Sequence, residues 1–182
     1  MKNPFHYPGL RILVVFFKEP YRDFHLREIA KLADVSPSTA KRFLDFYSES
    51  KFLIKSRKAN LVLFKANLEN LSFRYIKLSY FMMHAKPLID FLKNTYPNSS
   101  IILYGSCARG KDDPESDMDL LIVGRKTERF NLSKFEKKIK RKVTILIYTP
   151  HEWEEKAKKD KAFYERILVD SIVLQGNLPV VK

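Results

Sequence analysis

The sequence predicts an α+β protein in two parts, a helical segment closed by a hairpin and then an alternating α/β segment. Three observations carry this. Residues 25–56, HLREIAKLADVSPSTAKRFLDFYSESKFLIKS, place apolar residues at helical spacing on both sides of a short turn. Residues 52–67, FLIKSRKANLVLFKAN, form two β-prone runs around a polar tip. From Ser100 onward the apolar runs SIILYG, MDLLIVG and VTILIYT alternate with polar turns and a helical pattern.

Taken in order, LRILVVFF (10–17) is too short to separate helix from strand, although the helices after it favour a third helix. A short helix follows over about Leu26–Leu32, with Leu26, Ile29, Ala30 and Ala33 on one face. A second starts at Ser36-Pro37, where Ser36 suits the cap and Pro37 the first turn, and carries Ala40, Phe43, Leu44 and Tyr47 on one face. Arg57-Lys58-Ala59-Asn60 is expected at the hairpin tip. Residues 68–96 are apolar at mixed helical spacing. They form a helical connector that Pro87 should bend or interrupt, and that either packs on its neighbours or pairs subunits as a homodimer. Residues 131–142, NLSKFEKKIKRK, read as a helix, and residues 151–171 as one or two. IVLQG (172–176) is a last short strand or an apolar tuck. The expected division is 1–66, a connector at 67–97, and 98–182, which suits a chain of 182 residues.

Composition narrows the class. Apolar residues make up 45% of the chain, with 14 Phe and 9 Tyr, which is material for packed cores rather than disorder. The balance of 34 Lys+Arg against 21 Asp+Glu, a net +13, attracts polyanions: nucleic acid, nucleotides or an acidic protein. The one cysteine, Cys107, excludes an intrachain disulfide, and MKNPFHYPGL has no secretory apolar run, so a cytoplasmic location is expected. No apolar stretch approaches the roughly 20 residues that cross a bilayer.

The chemistry concentrates in LYGSCARGKDDPESDMDLLIV (103–123), where a strand runs into Gly105-Ser106, ten residues follow, and Asp117 and Asp119 then open another strand. Residues two apart on a strand share a face, so the two carboxylates project together. Held so, they repel unless a cation neutralises them. All-oxygen ligation favours Mg²⁺ or Mn²⁺, and such an ion implies phosphate. Gly105 lets a triphosphate approach the backbone, Ser106 offers a hydroxyl and an N–H, and Arg109 and Lys111 add positive charge.

This stretch resembles the nucleotidyltransferase superfamily that includes DNA polymerase beta and the aminoglycoside nucleotidyltransferases, above all its minimal prokaryotic members. The likeness rests on the strand, Gly105-Ser106, the Ala108-Arg109-Gly110 turn, Ser116-Asp117-x-Asp119-Leu120 and the apolar strand after it, over about residues 98–148. It implies an α/β domain with a mixed sheet that moves a nucleoside monophosphate from a nucleoside triphosphate to an acceptor, with Asp117 and Asp119 as metal ligands. One position departs from the family pattern. The later strand usually carries a third carboxylate, and the phrase that aligns with it here is Val143-Thr144-Ile145. Asp112, Asp113, Glu115 and Glu152 are alternative sources of that oxygen, and spacing selects none of them.

The first part resembles the winged helix-turn-helix domains of small prokaryotic regulators, in REIAKLADVSPSTAKRFLDFYSESKFL (27–53) followed by the hairpin. That likeness implies DNA binding, with Ser38, Thr39, Lys41 and Arg42 near the start of the second helix reaching the major groove and Arg57 and Lys58 reaching phosphates. Arg125, Lys126, Arg129, Lys134, Lys137, Lys138, Lys140, Arg141 and Lys142 against Glu128 and Glu136 make a basic stretch. Most of it is expected to be a solvated helix face, and it is also placed to guide a polyanionic acceptor such as RNA. Cys107 and the scattered His6, His25, His84 and His151 show no metal-ligand spacing. Two functions therefore compete: a transferase acting on RNA, a small molecule or a protein, and a DNA-binding regulator whose second domain binds nucleotide without chemistry.

Overall fold

A computed structural model describes residues 4–126 and 130–181, so Glu128 and Arg129 of the basic stretch lie outside the described residues. The chain divides into two compact units, 1–80 and 81–182.

In the first unit, α1 (Pro8–Lys18), β1 (Phe24–His25), α2 (Leu26–Leu32), α3 (Pro37–Glu49), β2 (Leu53–Lys58) and β3 (Leu61–Ala66) follow one another. The run at 10–17 is thus a helix. The caps explain the two boundaries of the turn: His25 Nδ1 accepts the Glu28 N–H at 3.2 Å to start α2, and Ser36 Oγ accepts the Thr39 N–H at 3.1 Å to start α3. Ile12, Phe16, Phe24, Ile29, Ala40, Leu44, Phe64 and Phe73 build one core, in which Phe16 meets Phe24 edge to face at 5.5 Å. The strands form an antiparallel sheet of order β1-β3-β2.

The hairpin tip is narrower than the sequence predicts. Lys58 pairs with Leu61 and Arg57 with Val62, so both basic residues end β2 and the turn is Ala59-Asn60. Ala59 takes φ 51°, the left-handed conformation that a two-residue turn demands and that glycine usually supplies. Pro87 also fails to interrupt its helix: α4 runs from Leu71 to Thr95 with Pro87 inside it. Proline removes one backbone donor from the helix ladder. Ala85, Leu88, Ile89 and Leu92 around it are all buried at helical spacing, which outweighs that loss.

The second unit contains β4 (Ser100–Tyr104), α5 (Gly105–Arg109), β5 (Met118–Val123), α6 (Ser133–Ile139), β6 (Val143–Tyr148), α7 (Pro150–Lys159), α8 (Lys161–Asp170) and β7 (Ile172–Gln175). The segment at 151–171 therefore falls in two helices and IVLQG supplies a strand. The sheet is mixed, ordered β6-β5-β4-β7, with β5 and β6 parallel and the other pairs antiparallel. A parallel pair needs a crossover, which α6 provides. Alternation divides the sheet residues between two faces. Ile101, Leu103, Leu120 and Ile122 point one way and are fully buried. On the other face Ile102 and Leu121 pack with Trp153 of α7 and Ile167 of α8. Trp153 satisfies its indole N–H on the Pro179 carbonyl at 2.7 Å. Among the described residues no helix is long and apolar enough to cross a membrane.

Candidate active site

The face covered by α7 and α8 ends in a polar row. Asp119 of β5 is directly opposite Tyr104 of β4 and, on its other side, in register with Thr144 of β6. All three side chains share one face, because paired residues on neighbouring strands point the same way. Asp117 stands two residues before Asp119, outside the strand. Burial, and next the negative charge of Asp117, raise the Asp119 carboxyl above the usual carboxylate value. Tyr104 is pushed up to about 12, by burial first and then by the charges of Asp119 and Tyr148.

Gly105 makes the site possible. It has φ 77°, and a Cβ there would lie 2.5 Å from Asp119 Oδ2, so the carboxylate is packed against a backbone that only glycine leaves bare. Gly105 also begins α5, the short helix carrying Ser106, Cys107 and Arg109. The Cys107 thiol donates to the Asp117 carbonyl at 3.3 Å and so ties α5 to the acidic residue. Spacing on its own gave Cys107 no role.

Of the other expected nucleotide-site residues, Ser106 is half-buried on α5. Arg109 is paired with Asp170 of α8 at 3.2 Å, and the Lys111 N–H bonds the Ser106 carbonyl at 3.1 Å. Three of the four alternative carboxylates are committed elsewhere. Asp112, 2% exposed, pairs with Arg141 at 2.6 Å. Asp113 accepts the Ser116 hydroxyl at 2.7 Å, and that bond is the first cause of its lowered pKa. Glu152 closes the cap of α7 on Thr149 and faces Lys126 at 2.6 Å; the lysine first and the cap second hold it at about 2. Among the described residues no three His, Cys, Asp or Glu side chains group as a metal site. The donor set is thus two carboxylates and a threonine hydroxyl, which suits one hard cation whose remaining ligands are phosphate oxygens and water, and lacks the anionic oxygen a second ion would share.

Residues 85–169 match the model of the nucleotidyltransferase domain. Over that stretch the second unit is similar to nucleotidyltransferase domains. No curated protein and no solved structure matches the chain significantly. The match takes in Gly105, Ser106, Asp117, Asp119 and Thr144 together.

One residue of this unit escapes sequence reasoning. Arg141, just before β6, donates to the Asp113 carbonyl at 2.5 Å, the Ser116 carbonyl at 3.0 Å and Asp112 Oδ2 at 2.6 Å. It thereby fixes the loop that delivers Asp117. The pairs lie 25 to 29 residues apart, and no local pattern marks them. Arg141→Met removes the guanidinium facing a buried carboxylate and is expected to destabilise the protein by about 3 kcal/mol. Urea unfolding would show this as a lower midpoint at unchanged slope, and adding Asp112→Asn should recover part of the loss.

The acidic pair has its own signature in the metal-free protein. Since the folded state raises the Asp119 pKa, it holds that proton more tightly than the unfolded chain does. Its contribution to stability is therefore present at low pH and lost as pH rises through the raised value. At neutral pH without divalent cations, Asp119→Asn should raise Tm by about 2–4 °C, the shift that roughly 1 kcal/mol produces in a chain of this size after solvent screening. Thermal melts at descending pH should show the gain shrinking.

The residues expected to touch DNA lie in the first unit. Lys41 and Arg42 are exposed on α3, and Arg42 lies over the Phe43 ring at 5.0 Å. Ser38 and Thr39 join the cap cluster of α3, each 2.9 Å from Ser36 Oγ. Arg57 and Lys58 are exposed at the end of β2.

Proposed function

We propose that the protein transfers a nucleoside monophosphate from a nucleoside triphosphate to an acceptor hydroxyl, with Asp117 and Asp119 holding Mg²⁺ or Mn²⁺, and that its N-terminal unit is a winged helix-turn-helix that binds duplex DNA. The observation that carries the transferase reading is the packing of Asp119 against bare Gly105 with Asp117 beside it. A divalent ion bound there would neutralise the pair, orient the triphosphate and stabilise the departing charge. Ser106, through its hydroxyl and N–H, would hold a phosphate oxygen. Arg109 would have to share its guanidinium between Asp170 and phosphate. Lys111 would add positive charge. The acceptor oxygen then attacks the α-phosphorus, the bond to the bridging oxygen breaks, and pyrophosphate leaves with the electron pair.

The DNA-binding reading rests on the capped α2–turn–α3 sequence, the hairpin after it, and the exposed Lys41, Arg42, Arg57 and Lys58. A second reading of the whole protein, a DNA-binding regulator that senses nucleotide without turnover, is favoured by Thr144 standing where a third carboxylate would meet Asp119.

Equilibrium titration of nucleoside triphosphate with and without Mg²⁺ tests the shared core of both readings. Metal-dependent binding that Asp117→Asn and Asp119→Asn each remove is expected, and binding indifferent to both would sink it. Turnover then separates transferase from sensor.

A further inference from the structure

The second unit has an open cleft beside Asp117 that the triphosphate chemistry does not use. Its volume is about 450 Å³, and its lining includes Asp117 itself together with Lys137, Lys140, Arg141 and Lys142. Lys137, Lys140 and Lys142 are exposed. Among the described residues none of these three lysines has a carboxylate partner, whereas lysines elsewhere in the unit do, such as Lys156 on Asp160 at 2.8 Å. Of the facing acids, Glu136 is turned to the Val143 N–H at 3.0 Å, leaving Glu115 and Asp117 against the three lysines, with Arg141 held by Asp112.

Lys140 is the telling residue. It caps α6 with φ 59° and ψ 39°, a left-handed conformation in which glycine or asparagine is the inexpensive choice and a long side chain costs roughly 1 kcal/mol. A strained lysine in the wall of a cleft that reaches Asp117 points to a ligand.

We propose that this cleft binds the backbone of a single-stranded nucleic acid, its phosphates on Lys137, Lys140 and Lys142 and its terminal hydroxyl directed to Asp117 and Asp119, so that the strand end is the acceptor. The inference rests on the transferase reading for its chemistry. The strand's hydroxyl oxygen forms the new bond to the α-phosphorus, the hydroxyl proton passes to water, pyrophosphate departs with the electron pair of the broken bond, and the strand gains one nucleotide. An extended polyanion fits three lysines that have no carboxylate partner among the described residues and are spread along one helix end and the following turn. A small neutral acceptor would need none of them.

The test is fluorescence anisotropy of a labelled single-stranded RNA of about 12 nucleotides, and of the DNA of the same sequence, titrated with the full chain at several salt concentrations. Neither Mg²⁺ nor triphosphate is added. Lys137→Gln, Lys140→Gly and Lys142→Gln combined should weaken binding at least about tenfold and flatten the salt slope by about 2, since each phosphate contact on a single strand contributes roughly 0.7. The RNA and DNA arms show which strand is preferred. A matched triple, Lys158→Gln, Lys159→Gln and Lys161→Gln, removes the same charge outside the cleft and should change affinity less than about threefold. Lys140→Gly alone should keep or raise Tm while weakening binding, which separates a ligand contact from loss of fold.

Equal weakening by both triples, or no strand binding by the unaltered protein, would overturn the proposal and leave a protein or small-molecule acceptor. Because strand binding is read without nucleotide, its failure is distinct from failure of metal-dependent triphosphate binding, which would overturn the transferase reading instead.

Discussion

Replacing Thr144 by Asp is expected to raise the rate of nucleotidyl transfer by about a hundredfold at saturating Mg²⁺, within the range that a positioned base or metal ligand contributes. The register of β5 on β6 puts residue 144 directly beside Asp119 on the same face, and Thr144 is exposed, so a carboxylate fits there without repacking. The same change should lower Tm in the metal-free protein by a few degrees, because three carboxylates then face one another, and Mg²⁺ should restore it. Steady-state rates and melts with and without Mg²⁺ check both arms. A metal-free penalty with no gain in rate would mean that the missing carboxylate is not what limits this protein.

The second large effect is expected at Gly105. An alanine Cβ would sit 2.5 Å from Asp119 Oδ2 and would hold a left-handed φ of 77°. The strain costs on the order of 1 kcal/mol of stability. Displacement of the carboxylate should reduce metal-dependent triphosphate affinity by at least about a hundredfold, since ligand geometry tolerates little displacement. Gly110 separates the two contributions. It is also left-handed, at φ 65°, so Gly110→Ala should carry a comparable stability cost and a smaller share of the affinity loss. Equal affinity losses in both variants would assign the effect to strain rather than to crowding of Asp119.

Much of the fold is legible in the residues because local signals agree. Ser36-Pro37 marks the start of α3, and the apolar spacing of Leu26–Leu32 marks α2. The alternating runs after Ser100 mark β4, β5 and β6. The acidic pair is legible because carboxylates two apart at the mouth of an apolar strand are poor strand chemistry without a purpose. What sequence reasoning misses is set by distant contacts. The Arg141 hold on Asp112 and on the 113 and 116 carbonyls joins segments that only folding brings together. The tip of the hairpin is misread because Ala59 takes a conformation that its side chain disfavours, under the pairing of Lys58 with Leu61. Of the bend or break expected at Pro87, the break does not occur, because the burial of its neighbours exceeds the cost of one lost helix bond. Thr144 lies between the two cases. The apolar strand phrase aligns it with a missing carboxylate, and the strand register puts it beside Asp119.

The most direct measurement of the central claim is incubation of the purified protein with each α-labelled nucleoside triphosphate, Mg²⁺ and a single-stranded RNA, a single-stranded DNA or the protein itself as acceptor, alongside the Asp117→Asn, Asp119→Asn double variant. Label transferred to an acceptor with release of pyrophosphate, absent from the variant, is the predicted result. Label transferred equally by the variant, or neither transfer nor metal-dependent nucleotide binding by the unaltered protein, would contradict an active site built on Asp117 and Asp119.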